Sequence, residues 1–189
     1  MKIIHISGSP RKKSNSRNIA EQFVSKAEKN GAEVSTYILN NMDYRGCQGC
    51  LGCKNNKERC VLKDDLTEVL DGIYETDILL ISTPVYFWEV PGQLKCFMDR
   101  TYSFAKDDWQ TNPIPSRLPA GKKLVFVQTQ GAGDEMHGDI FQKYDAIFKM
   151  FTGFKDTYLI KGSNASDTDI EIGPELIEKA ETLADELCG

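Results

Sequence analysis

Five short stretches of the chain read as apolar runs, and between them apolar side chains recur at helical spacing. Residues 2–7, 33–39, 77–83, 123–130 and, more faintly, 157–160 read as strands. Ile78-Leu79-Leu80-Ile81 and Leu124-Val125-Phe126-Val127 have no polar alternation, as expected for parallel strands buried on both faces. Ile19, Phe23, Val24 and Ala27 mark a helix over 18–30 that stops at Asn30-Gly31. Leu66, Val69, Leu70 and Ile73 mark a short helix after Asp64-Asp65, and Leu94, Phe97, Met98 and Thr101 another after Pro91-Gly92. The period Ile140, Tyr144, Ile147, Phe148, Phe151 predicts a helix over about 140–151, and Pro174-Glu175 opens a terminal one. Strands alternating with helices predict a doubly wound α/β sheet with right-handed crossovers. Two long irregular pieces remain, about 41–65 and 104–120, and loops of that length are more often functional than idle.

Composition narrows the class. The 189 residues carry 23 Lys+Arg against 28 Asp+Glu, a net charge of −5, and fit one domain over 1–189 with a buried core. The acidic balance argues against sequence-independent nucleic-acid binding. No run approaches the roughly 18 apolar residues of a membrane span. The first residues enter a strand without the order of a signal peptide, so a cytoplasmic protein is expected. Six cysteines are unusual there. Cys47, Cys50, Cys53 and Cys60 fall within fourteen residues, which points to metal or redox chemistry before disulfides. Cys96 and Cys188 have no partner in the sequence and read as structural or incidental.

The first strand runs into Ser7-Gly8-Ser9-Pro10-Arg11-Lys12-Lys13-Ser14-Asn15-Ser16, directly before a helix. In open α/β sheets ligands bind beyond the strands' carboxyl ends. The loop is neither a Walker A motif nor a GxGxxG fingerprint. Its hydroxyls, Asn15, the cations Arg11, Lys12, Lys13 and Arg17, and a helix N-terminus together suit a phosphate. The plainer reading is a polar connection in which Ser16 caps the helix.

Ile6-Ser7-Gly8-Ser9-Pro10-Arg11 with Ser14-Asn15-Ser16 resembles the phosphate loop of the flavodoxin-like NAD(P)H-dependent FMN reductases. Thr83-Pro84-Val85-Tyr86-Phe87-Trp88, with Pro91-Gly92-Gln93-Leu94-Lys95 and Asp99-Arg100, resembles that family's second flavin loop and the helix after it. The cysteine segment through Asp64-Asp65 resembles the iron–sulfur flavoprotein branch, and the likeness covers about residues 1–130. It implies a five-stranded flavodoxin-like parallel sheet with helices on both faces, and FMN as cofactor. The 5′-phosphate would lie at Ser9, Arg11, Ser14, Asn15 and Ser16, with Ser7 and Pro10 of the same loop also expected to bind the cofactor, and the ring at Pro84, Val85, Tyr86, Phe87 and Trp88. Three consecutive aromatics do not all face one core, so ring contact plus a dimer contact is expected over a core patch. Thr129, Gln130 and Gly131, after the fourth strand, stand where a third flavin loop belongs. His137 follows; a bystander histidine is favoured there over a proton donor to a quinone, and His5 reads as structural.

The cysteine spacing is C-x2-C-x2-C-x6-C, with Gly46, Gly49 and Gly52 each preceding a cysteine. Such glycines let a loop curl and aim amide N–H groups at sulfur. The three-residue intervals favour a [4Fe–4S] cluster; unmetallated thiols, a redox disulfide and zinc are the alternatives, and the ferredoxin-type proline after the last cysteine is replaced by Val61.

The implied function is an FMN-dependent oxidoreductase taking electrons from NAD(P)H or a redox partner and passing them to a quinone, flavin or protein acceptor. The alternative is an electron carrier working with a ferredoxin-like partner without nicotinamide turnover. A zinc-stabilised nucleotide-binding protein is a third option. The family likeness also implies a homodimer or homotetramer.

Overall fold

The computed structural model describes residues 1–55, 57–165 and 173–189. Five strands, β1 (Lys2–Ser7), β2 (Glu33–Ile38), β3 (Ile78–Pro84), β4 (Lys123–Thr129) and β5 (Asp156–Gly162), form one all-parallel sheet in the order β2-β1-β3-β4-β5. Among the described residues the α-helices are α1 (Asn15–Lys29), α2 (Leu66–Gly72), α3 (Gly92–Arg100), α4 (Gly138–Ile147) and α5 (Pro174–Cys188). The fold is the expected doubly wound, flavodoxin-like one.

Alternate strand residues feed two cores, because successive side chains point to opposite faces of a sheet. Ile3, Leu80, Val125 and Val127 pack beneath α1 and α5, against Phe23 and Ala184. Ile6, Leu79, Ile81 and Phe126 pack beneath α2, α3 and α4, against Val69, Leu94 and Tyr144. β3 and β4 carry apolar residues in both cores, which is why their sequences show no alternation. His5 is a polar exception within the apolar run of β1. It is fully buried, its Nε2 lies 2.9 Å from Ser82 Oγ, and burial followed by the charge of Arg17 lowers its pKa to about 3.

Two helix boundaries differ from the periodicity. α1 begins three residues earlier than expected, because Ser14 rather than Ser16 is the cap: its Oγ accepts from Arg17 N at 3.4 Å. The run over 140–151 is not one α-helix. α4 ends at Ile147 and continues as a π-turn over Phe148–Thr152, closed by Gly153 in the left-handed region. Among the described residues no helix is long and apolar enough to cross a membrane.

The chain steps from β1 outward to β2, then returns across the sheet to β3. That reversal opens a crevice between the carboxyl ends of β1 and β3. Both long loops lie on the α2–α3–α4 side: 104–120 folds back through an Ala105–Ser116 bridge, and the cysteine loop packs against α3.

Candidate functional site

The crevice holds a cavity of about 340 Å³. Ser9, Arg11, Ser14 and Asn15 line it from the first loop and the start of α1, while Pro84, Val85, Tyr86 and Phe87 line it from the β3 exit. Thr129, Gln130 and Gly131 line it from the β4 exit, so three separate segments picked from the sequence converge on one space. Their exits are tied by backbone bonds: Gly8 N donates to Ser82 O at 2.8 Å, Val85 N to Thr129 O at 2.8 Å, and Gln130 N to Gly162 O at 2.9 Å.

The cavity is polar and cationic at one end and apolar at the other. Arg11 spans the two, its guanidinium 5.9 Å from the Tyr86 ring centroid. Arg17, grouped with the loop cations by sequence, is folded beneath the loop, where its Nη2 donates to the carbonyls of Arg11 and Lys12. It holds the loop's shape and does not line the cavity. Ser7, Pro10, Ser16 and Trp88 also stand outside the lining. Ser7 and Ser16 are fully buried, and Ser16 Oγ lies 3.1 Å from Ser14 Oγ.

The aromatic loop is a two-residue hairpin. Tyr86 N donates to Glu89 O at 2.8 Å, Glu89 N to Tyr86 O at 3.1 Å, and Phe87 and Trp88 between them have φ of 46° and 64°. That is the type I′ arrangement, normally filled by Asn-Gly because bulky residues are strained there. Phe87 is 94% exposed and Trp88 67%, the latter edge-on to His137 at 5.9 Å. Glu89 keeps the turn in place: its carboxylate accepts from Val90 N at 2.8 Å, from Tyr144 Oη at 3.1 Å, and from Lys143 Nζ. Burial raises the Glu89 pKa, but these donors outweigh it and leave it below the ordinary carboxylate value. Sequence reading missed Glu89, whose side-chain partners Lys143 and Tyr144 lie more than fifty residues away.

In the third loop the Gln130 side chain is committed, donating to Gly133 O at 2.6 Å and Met136 O at 3.0 Å. Buried Gln128 donates to Gln130 Oε1 at 2.9 Å and to His137 O at 3.0 Å. These amides shape the loop and leave Thr129 and Gly131 on the cavity wall.

All four clustered cysteines line a second, smaller cavity of about 110 Å³, floored by α3. Gly52 allows the fold of this loop, since a Cβ there would stand 2.7 Å from Val61 Cγ1. Its two ends are fastened by Asp65, which accepts from Asp43 N at 2.7 Å, and Asp64, which accepts from Arg45 N at 3.2 Å. Arg100 on α3 is wholly buried and completes the fastening, pairing with Asp64 at 2.8 and 3.2 Å and donating from Nε to Cys60 Sγ at 3.0 Å. Burial raises the Asp64 pKa, yet the Arg100 and backbone donors leave it below its usual value. Lys54 reaches the carbonyls of Tyr102 and Ala105 and sits 3.9 Å over the Tyr102 ring. Burial pushes the Cys53 thiol up, against the opposing charge of Lys54. Cys96 is a fifth thiol beside the loop: a Cβ on Gly46 would stand 3.1 Å from its Sγ. Among the described residues no three His, Cys, Asp or Glu side chains are grouped tightly enough to hold a single metal ion.

A larger apolar cleft of about 360 Å³ lies beside this cavity between α3 and α4 and shares Cys47, Asp99 and Tyr102 with it.

The family described as NADPH-dependent FMN reductase matches residues 1–164. An iron-sulfur flavoprotein of Methanosarcina thermophila is 35% identical over 122 residues, 64% of this chain and 63% of that protein. An iron-sulfur flavoprotein of Methanocaldococcus jannaschii is 38% identical over 138 residues, 72% of this chain and 66% of its own length. The chain therefore spans somewhat less than two-thirds of these relatives. An FMN-dependent NADH-azoreductase of Bacillus anthracis, solved in complex with FMN, shares the fold at TM-score 0.70 and 17% identity, covering 100% of this chain and 98% of that one. An NAD(P)H:quinone oxidoreductase of Methanothermobacter marburgensis does so at TM-score 0.69 and 18% identity, covering 100% and 94%. With residues 1–164 matched and the three crevice loops in place, the chain belongs to the NADPH-dependent FMN reductase family.

Proposed function

We propose that the protein is an FMN-dependent oxidoreductase that takes electrons from NAD(P)H or a redox partner and delivers them to a quinone, flavin or protein acceptor. The observation that carries this reading is the two-ended crevice cavity. Its volume of about 340 Å³ is within the ~300–1,000 Å³ of small-molecule sites. Hydroxyls, Arg11 and a helix N-terminus at one end suit a phosphate, and Pro84, Val85 and Tyr86 at the other suit a flat ring. Bound FMN would supply hydride and single-electron chemistry. The protein's part is to hold the phosphate at Ser9, Arg11 and Ser14, to set the ring's plane with the β3 exit, and to border its edge with Thr129 and Gly131.

Anaerobic stopped-flow mixing tests this. Rapid bleaching of the bound flavin by NADH or NADPH supports the reductase, and no bleaching by either contradicts it. Bleaching by reduced ferredoxin alone supports the second reading, an electron carrier. That reading is favoured by the cysteine cavity and by the iron–sulfur names of the relatives.

The cysteine cavity supports a [4Fe–4S] cluster held by Cys47, Cys50, Cys53 and Cys60. A tetrahedral zinc site places its sulfurs only ~3.8 Å apart, as bonds of ~2.3 Å require. A cubane takes one thiolate at each of four iron corners and so suits thiols spread around a cavity wall. Bound there, a cluster would add single-electron exchange. The exposed Phe87 and Trp88 support assembly into a homodimer or homotetramer, checked by light scattering on the purified protein.

A further inference from the structure

Arg100 has the chemistry of more than a structural anchor. A buried guanidinium costs several kcal/mol unless every N–H is met, and here each side of the fork is met by the cysteine loop. Nη1 donates to Asp64 Oδ2 and to Arg45 O, both at 2.8 Å, and Nη2 to Asp64 Oδ1 at 3.2 Å and to Leu62 O at 3.4 Å. Residues 45 and 64 bracket the whole cysteine segment, so one α3 side chain closes the loop at its base. The fifth donor is spent differently. Nε lies 3.0 Å from Cys60 Sγ, a sulfur on the wall of the cavity shared by all four cysteines. A charged N–H aimed at a ligand sulfur draws electron density from it, and hydrogen bonds to sulfur are among the factors that set a cluster's potential.

We propose that Arg100 is a positioning residue for the cysteine site that also tunes it: its fork locks the ends of the loop, and its Nε–H on Cys60 makes a cluster held there easier to reduce. The inference rests on the cluster reading of the preceding subsection. One-electron reduction adds a negative charge within reach of the guanidinium, so a fixed positive charge favours the reduced state. Asp64 acts in the opposite sense, because it partly cancels that charge at 2.8 Å. A residue serving only as a staple would affect loop order and cluster retention, with no sign tied to charge.

The test uses anaerobically purified wild type, Arg100→Lys, Arg100→Gln and Asp64→Asn, each analysed for iron, sulfide and FMN and titrated potentiometrically with detection by electron paramagnetic resonance. Wild type is expected to hold iron and sulfide. The cluster potential shifts negative in Arg100→Gln, lies between the two in Arg100→Lys, and shifts positive in Asp64→Asn, with FMN content equal in all four. Potentials that stay at the wild-type value, or that move in one direction for both charge changes, overturn the tuning role while leaving the cluster reading intact. If Arg100→Gln does not retain iron, Asp64→Asn decides alone: a positive shift supports the proposal and an unchanged potential refutes it. Wild type with FMN and no iron overturns the cluster reading, and this inference with it.

Discussion

The backbone of Gly8 lies so close to α3 that a methyl group on it would stand 2.8 Å from Leu94 Cβ. This contact seats the first loop against the helix that follows the aromatic hairpin, so the two ends of the crevice are spaced by one glycine. Gly8→Ala must push them apart, and overpacking of this kind costs about 1–3 kcal/mol. On the flavin reading it also weakens FMN binding. Adding Leu94→Gly to Gly8→Ala removes all three crowding carbons, Cβ, Cγ and Cδ2, and restores part of the affinity. Flavin fluorescence titration of the single and double variants checks this; no rescue by Leu94→Gly would show that the contact does not space the site.

The hairpin at Phe87 and Trp88 holds two aromatic residues at positive φ because Glu89 is gripped by Val90, Lys143 and Tyr144. Glu89→Ala should therefore destabilise the fold by about 1–3 kcal/mol, the usual cost of stranding buried donors. Placing Asn-Gly at 87–88 in the same background relieves the turn and should recover part of the loss. Urea unfolding of the single and triple variants measures both effects. An Asn-Gly turn that destabilises further would contradict the strain argument.

His5 makes stability depend on pH in a defined direction. Folded, its pKa is about 3; unfolded, it titrates near 6.5. Between those values the unfolded chain binds a proton that the folded chain refuses, so this contribution is complete above pH 6.5 and is lost as pH falls toward 3. Denaturation midpoints measured from pH 7.5 down to 4.5 should fall less steeply for His5→Gln than for wild type. Parallel profiles would mean that His5 does not stay neutral in the fold.

The sheet was legible because β3 and β4 are apolar on both faces, as strands of a parallel sheet covered on both sides are, and because helical periods alternate with the strand runs. The crevice loops were legible because their hydroxyls, prolines and aromatics lie in short contiguous stretches at strand ends. What stayed hidden depends on contacts across the chain. Arg100 reads as an ordinary helix-terminal cation, and its role appears only when residues 45, 60 and 64 are brought to it. Arg17 reads in sequence as one more loop cation, because charge is visible there and the direction of a guanidinium is not. The earlier start of α1 turned on which of two nearby serines caps it, a choice fixed by Ser14 backbone geometry. The π-turn after α4 keeps the same apolar period as a helix, so periodicity does not register it.

The central claim is that one chain joins an FMN crevice to a cluster-binding cysteine loop, and composition tests it most directly. Protein purified anaerobically should give one FMN, about four irons and about four sulfides per chain, and Cys53→Ser should keep the flavin while losing the iron and sulfide. Flavin without iron would contradict the cluster half of the account, and a colourless protein would contradict both halves.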